Sequence, residues 1–191
     1  MFKIENIQIS ELKDGKYIRP KRLEYLQDGI RKSWEIVQSY DSVAILIYHK
    51  DRDSFILVKQ FRPAVYINDN RYTNTYELCA GLIDKDKTLE EIASDEVEEE
   101  CGYRVEPSQL QKVTTFFTNV GFAGAKQHLF YVEVDESMRV GKGGGIDGEV
   151  IYLEYLPVSE AKEFIFNEQY AKTPGLMLSF YWWFDKFKKY K

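Results

Sequence analysis

The chain has two cysteines, Cys79 and Cys101, too few for a disulfide framework. Both sit among apolar neighbours and read as small core residues of a reducing compartment. Basic clusters are missing as well. Lys and Arg number 26 against 31 Asp and Glu, so the net charge is −5. An acidic chain without a basic block is a poor ligand for nucleic acid. No apolar run approaches a membrane span. The C-terminal stretch PGLMLSFYWWFDKFKKYK comes nearest, with an apolar part about half as long as a span requires. There Leu176, Phe180, Trp183, Phe184 and Phe187 share a helical face, which suits packing on the core or on a second subunit better than contact with a membrane. The opening residues, MFKIENIQIS, lack the charged start and apolar middle of a signal peptide. A cytoplasmic location is the expectation that follows. Histidine is scarce, and His49 and His128 have neither a metal partner one helical turn away nor a neighbouring Ser or Cys for a triad. Both are read as structural. Internal repeats and low-complexity linkers are absent.

What is present is a globular composition. Hydrophobic residues make up 44% of 191, enough for one domain with a sizeable core. Residues 1–40 read as short strands at Lys3–Ile9, Tyr17–Tyr25 and Gly29–Gln38, with a hairpin signal at Asp28-Gly29. They form a candidate antiparallel unit separate from residues 41–191. Ser42–His49 and Ser54–Gln60 read as buried strands, with a turn at Asp51-Arg52-Asp53 and an end enforced by Pro63. Residues 67–75 read as a polar loop, and Tyr76–Ala80 as a short strand entering a turn at Gly81. Further strands are expected at Gln111–Phe117, Gln127–Val134 and Glu149–Pro157. Helices are expected at Thr88–Cys101, at Ser159–Asn167 with Ser159 as cap, and from Pro174 to about Lys188. Mixed elements with strands in the majority indicate an α+β fold of the α-β-α sandwich kind.

The most informative stretch is GLIDKDKTLEEIASDEVEEECGY, residues 81–103. Thr88 is a plausible N-cap with Glu91 three places on, and Gly102 stands where a left-handed stop belongs. At roughly 100° per residue, Leu89, Ile92, Ala93 and Val97 form one apolar stripe. Glu96 and Glu100 fall within that stripe, Glu99 at its edge, and Glu91, Asp95 and Glu98 on the other side. Buried, unpaired carboxylates are costly and two together repel. A divalent cation resolves the conflict, and carboxylate oxygens are what magnesium and manganese prefer. A solvated acidic helix is the competing reading. It accounts for Glu90, Glu91, Asp95 and Glu98 better than for Glu96 and Glu100.

The loop GKGGGIDGE (141–149) is the second candidate. It lacks the Gly-Lys-Ser/Thr spacing of a nucleotide P-loop. It reads either as a flexible connection with solvated acids or as a mobile loop, hinged at Gly143, Gly144 and Gly145, that delivers Asp147 or Glu149 to a metal centre. Attack of water on a phosphate ester needs a base, and the helix carboxylates are committed to metal. Arg62 at a strand end suits a pyrophosphate clamp or a structural ion pair. Trp34-Glu35 suits stacking on and bonding to a nucleoside, or a plain strand aromatic.

Residues 81–103 resemble the Nudix box: a glycine, five residues, a glutamate, seven residues, then R-E-U-x-E-E-x-G-U with U apolar. Gly81, Glu96, Val97, Glu99, Glu100, Gly102 and Tyr103 stand in register. Lys87 replaces the first Glu and Asp95 replaces the Arg. Beyond the box, KSWEIV (32–37), DSVAILIY (41–48), VKQFRPAVY (58–66), ELCAGLID (77–84), NVGFAGAKQ (119–127), GGG (143–145) and KTPGLMLSFYWW near the end are similar to the UDP-sugar pyrophosphatase branch of the ADP-ribose-pyrophosphatase-like Nudix hydrolases. The resemblance implies a Nudix sandwich with a mixed sheet over residues 41–191. It implies a homodimer in which residues 1–40 cross to the partner. It also implies magnesium, or manganese, held by the carbonyl of Ala80 and by Glu96, Glu99, Glu100 and Glu149. Asp147, Glu149 and Glu99 would make up the catalytic set. The implied activity is hydrolysis of a nucleoside diphosphate sugar, foremost UDP-glucose to UMP and glucose 1-phosphate. The alternatives are an ADP-ribose pyrophosphatase and a non-catalytic nucleotide-sugar-binding module.

Overall fold

The computed structural model describes residues 4–15, 17–146 and 148–187. Its frame is a sheet whose two central strands part company. Strand β3 (Ser42–His49) and strand β4 (Ser54–Gln60) are the buried apolar runs, and they begin and end where their patterning indicates. β1 (Arg19–Gln27) and β2 (Ile30–Gln38) precede them as a separate ribbon. β3 and β4 pair antiparallel only near their connecting turn, Ile47 with Ile56, Tyr48 with Phe55 and His49 with Ser54. Beyond that they splay, and the following segment fills the wedge. β5 (Thr75–Glu77) pairs with β4, placing Glu77 opposite Val58. β6 (Cys79–Leu82) pairs with β3, placing Ala80 opposite Ala44. The single strand expected at Tyr76–Ala80 is therefore two, with Leu78 between them. A change of partner leaves the period-two pattern intact, so patterning is blind to it.

β7 (Gln111–Phe117) and β8 (Lys126–Val134) extend the sheet past β3, with β8 parallel to β3 and antiparallel to β7. β9 (Ile151–Pro157) covers the other edge of β4. It starts two residues later than expected because the preceding loop folds back first. β10 (Ala171–Lys172), too short for any periodicity, lies parallel to β5.

Both faces of the sheet are covered, which is why β3 is apolar almost throughout. Val43, Ile45 and Ile47 point to the face packed by Ile92, Ala93, Val97 and Cys101 of helix α2 (Leu89–Glu96) and its continuation. Ala44 and Leu46 point to the other face, against Leu176, Phe180, Trp183 and Phe184. These belong to the C-terminal helix, Pro174–Phe187, whose aromatic stripe thus packs on the chain's own core. Two short helices complete the α-β-α sandwich, Pro63–Asn68 and Ala161–Phe166, the second on the C-terminal helix's side. In chain order the helices are α1, α2, α3 and α4. α1 was hidden in what reads as a strand end, because Pro63 serves equally as a stop and as a first helical residue. Ser159 does not cap α3. It lies within a 3₁₀ turn, Val158–Glu160, which takes up the first part of the expected helix.

The ribbon stands apart from this sandwich. Asp28 and Gly29 adopt φ of 54° and 78°, the two left-handed residues of a tight hairpin. No strand forms at the described residues of Lys3–Ile9; Lys3 itself lies outside them. Alternation makes a strand only where a neighbour supplies the ladder, and among the described residues no strand pairs with this stretch. The ribbon docks through Trp34, whose Nε1–H donates to Gly121 O at 2.7 Å, and Val37, whose N–H donates to Phe122 O at 2.8 Å. Leu26, Ile30 and Trp34 remain 71%, 62% and 54% exposed, a large apolar presentation for two strands. Both cysteines are buried and free. His49 is buried against the rings of Tyr103 and Tyr155, and His128 Nδ1 lies 2.9 Å from Thr115 Oγ1. No described helix is long and apolar enough to cross a membrane.

Candidate active site

α2 starts with a reciprocal cap. Thr88 Oγ1 accepts from the Glu91 N–H at 3.2 Å, and Glu91 Oε2 accepts from the Thr88 N–H at 2.8 Å. The helix does not run uniformly to Cys101. At Val97–Cys101 it widens into a π turn, and Gly102 at φ 75° stops it. Within this turn Glu100 faces the sheet and is buried. Such turns inside α-helices are frequent at functional sites.

The sheet wedge and this turn meet at Ala80 and Gly81. Ala80 N–H donates to Glu100 Oε2 at 3.0 Å. A Cβ on Gly81 would lie 2.1 Å from Glu96 Oε1, so glycine is needed for the carboxylate to rest on the strand. Glu96 and Glu100 thus lie side by side against β6. Burial, together with the charges of Glu99 and Glu149, pushes the Glu96 carboxyl up to about 7. Burial pushes Glu100 up to about 8, against the opposing hydrogen bonds from Ala80 N–H and the Cys79 thiol. Glu149 is close enough for its charge to act on both, and on Arg62.

As the side chains stand, no three acidic, histidine or cysteine groups among the described residues converge to enclose an ion. Glu100 is turned onto the Ala80 amide instead. The donor set nonetheless fits a hard divalent cation, because crowded carboxylates short of positive charge are what such an ion needs.

The remaining candidates fall in different places. Arg62 grips Glu77 with both ends of its fork, Nε to Oε1 and Nη2 to Oε2, each at 2.8 Å. The ion-pair reading of Arg62 is therefore realised, beside the acidic cluster. Trp34 and Glu35 sit on the ribbon, where Glu35 pairs with Arg22 at 3.2 Å. The structure does not bring those two into the carboxylate cluster. Asp147 lies outside the described residues. Glu98 is turned away and held by Arg104 at 2.9 Å. Glu77 is the residue that sequence reasoning passed over. It is buried, accepts from Thr75 Oγ1 and binds Arg62. A lone acid in the otherwise apolar run before Gly81 was the available signal.

A splayed mixed sheet between helices, with a glutamate-bearing turn at its wedge, defines the class. Residues 39–174 match the NUDIX domain, and the chain belongs to the Nudix family. Its relatives include the uridine diphosphate glucose pyrophosphatases of Bos taurus and Mus musculus, 37% and 36% identical, each aligned over 97% of this chain and 96% of its own. The GDP-mannose pyrophosphatase of Cronobacter sakazakii is 35% identical over 79% of this chain and 71% of its own. A solved structure described as an ADP compounds hydrolase superposes with a TM-score of 0.71, covering 94% of this chain and 92% of that one. At 15% identity that likeness bears on the fold alone.

Proposed function

We propose that this protein hydrolyses the pyrophosphate bond of a nucleoside diphosphate sugar, with UDP-glucose giving UMP and glucose 1-phosphate. The observation that carries the chemistry is the pair Glu96 and Glu100, one half-buried and one buried carboxylate pressed on one strand and short of compensating charge. The near full-length likeness to UDP-glucose pyrophosphatases supports the substrate. The likeness to GDP-mannose pyrophosphatase favours GDP-mannose as the second reading.

Glu96, Glu99, Glu100 and Glu149, with the carbonyl of Ala80, would hold magnesium or manganese. When bound, the cation neutralises phosphate charge and favours ionised water as nucleophile. Asp147 or Glu149 takes the proton from the attacking water. Water adds to one phosphorus as its bond to the bridging oxygen breaks. Arg62 uses two donors on Glu77 and keeps its outer N–H groups for the substrate's charge. Trp34 and Glu35 hold the nucleoside from a ribbon whose apolar exposure suits burial against a second copy of residues 1–40. The active form is thus a homodimer, and its compartment the cytoplasm.

The test is product analysis of UDP-glucose, GDP-mannose and ADP-ribose side by side, with magnesium and with chelator. UMP and glucose 1-phosphate formed only with magnesium are the expected products. Binding of UDP-glucose without turnover at any magnesium or manganese level would remove the enzyme reading.

A further inference from the structure

Three glycines in succession suggest freedom, yet here they are held. Gly143, Gly144 and Gly145 have φ of 67°, 113° and 82°, a run of positive φ that residues with a side chain rarely adopt. Gly144 N–H donates to Glu100 O at 2.9 Å and Gly145 N–H to Glu99 O at 3.2 Å. Val140 and Gly141 donate to Gly102 O at 2.9 and 3.1 Å. A helix end leaves its last carbonyls unpaired, and this loop takes up those of Glu99, Glu100 and Gly102. The approach is too close for a side chain. A Cβ on Gly143 would lie 2.2 Å from Glu100 O and 2.8 Å from Glu100 C. The chain then doubles back, with Glu149 against Gly145 and the Ile151 N–H donating to Gly144 O at 3.3 Å.

We propose that the glycine run is a backbone clamp on the end of the box helix, and that Gly143 is a positioning residue. The clamp holds the peptide groups of Glu99 and Glu100 and sets Glu149 beside Glu96 and Glu100. The segment is therefore a fixed strap at rest rather than a hinge. What the clamp serves rests on the metal-dependent hydrolase reading above; the clamp itself rests on geometry alone.

Gly143→Ala forces the strap off the helix end. Gly148→Ala is the control, since Gly148 also has a positive φ, 89°, but has nothing within 4 Å of an added Cβ. Hydrogen exchange and calorimetric titration with magnesium, both without substrate, read the clamp directly. In the wild-type protein the Gly144 and Gly145 amides should exchange slower than free peptide by roughly tenfold or more. Gly143→Ala should lose that protection and weaken magnesium binding by about tenfold or more, whereas Gly148→Ala should keep both. With substrate, Gly143→Ala should lower kcat more than it raises KM. Unprotected Gly144 and Gly145 amides in the wild-type protein would overturn the proposal. So would a folded Gly143→Ala protein with wild-type magnesium affinity. If Gly143→Ala does not fold, the wild-type exchange rates decide. If UDP-glucose proves not to be a substrate, the magnesium titration and the exchange rates still decide.

Discussion

Lys87 Nζ donates to Asp95 Oδ2 at 2.5 Å, across eight residues of loop and helix. These are the two positions at which the chain departs from the Nudix box pattern. Where that pattern has an acid and then a base, this chain has a base and then an acid. The pair ties the loop after Gly81 to the box helix, with the charge order of the box pattern reversed.

That inversion predicts a rescue. Lys87→Glu alone sets two acids against each other beside Glu91 and Glu99, and should lower kcat/KM by roughly threefold to tenfold. The double variant Lys87→Glu with Asp95→Arg should restore most of it, as coupling between contacting residues requires. Steady-state kinetics of the four-member cycle measure the coupling. Additive losses would show that the pair does not support the site.

The carboxylate pair predicts a separation of activity from stability. Glu96→Gln and Glu100→Gln should each cut turnover by about a thousandfold while the fold survives, since amides lose the charge that binds a cation. Glu98→Gln, whose carboxylate is tied to Arg104 on the exposed side, should change turnover little. Saturating-magnesium kinetics of the three variants test this, and equal damage from Glu98→Gln would reject the assignment of faces.

The same pair sets a pH dependence. Glu96 and Glu100 titrate near 7 and near 8 in the folded chain, above the ~4.3 of an unfolded glutamate. Folding therefore takes up protons between these values. The stabilising contribution is full below pH ~4.3 and is lost as pH rises through 7 to 8. The metal-free protein should melt progressively lower from about pH 5 to pH 8, less steeply in Glu100→Gln. Magnesium should flatten the decline by binding the ionised form. Asp69, Glu91, Glu98, Asp135 and Glu136 have lowered pKa values and lose their contribution as pH falls below the ordinary carboxylate range, outside this window. Thermal melts with magnesium or with chelator, across that range, give the comparison.

Arg62 and Glu77 predict a geometric requirement. Glu77 is 12% exposed at its side chain and Arg62 is 47%. Arg62→Ala strands a buried carboxylate and should cost roughly 1–3 kcal/mol, below the range for a fully buried pair because Arg62 is half in solvent. Arg62→Lys should recover little of this, since an ammonium does not reproduce the fork. Denaturant melts of both variants check the loss, and full recovery by lysine would show that charge alone matters.

The ribbon predicts assembly. A hairpin of two strands is marginal alone, and this one leaves Leu26 and Ile30 largely in solvent. Full-length protein should be a dimer at micromolar concentration by light scattering, and deletion of residues 1–40 should give monomers or aggregate. A monomeric full-length protein would refute the role given to the ribbon.

Local chemistry determined much of this molecule. The apolar runs of β3 and β4, the Thr88–Glu91 cap, the Gly102 stop and the buried face of Ile92, Ala93 and Val97 all follow from neighbours within a turn or a pleat. So does the conflict at Glu96 and Glu100, because helical phase alone puts charge on an apolar stripe. Tertiary closure decided the rest. It chose two partners for Thr75–Leu82, gave Glu77 to Arg62 from 15 residues away, and matched Lys87 to Asp95. It also laid three glycines on the carbonyls of Glu99 and Glu100. Periodicity reports which side of an element faces inward. It carries no information about which backbone or side chain waits there, because that depends on how distant segments close on one another.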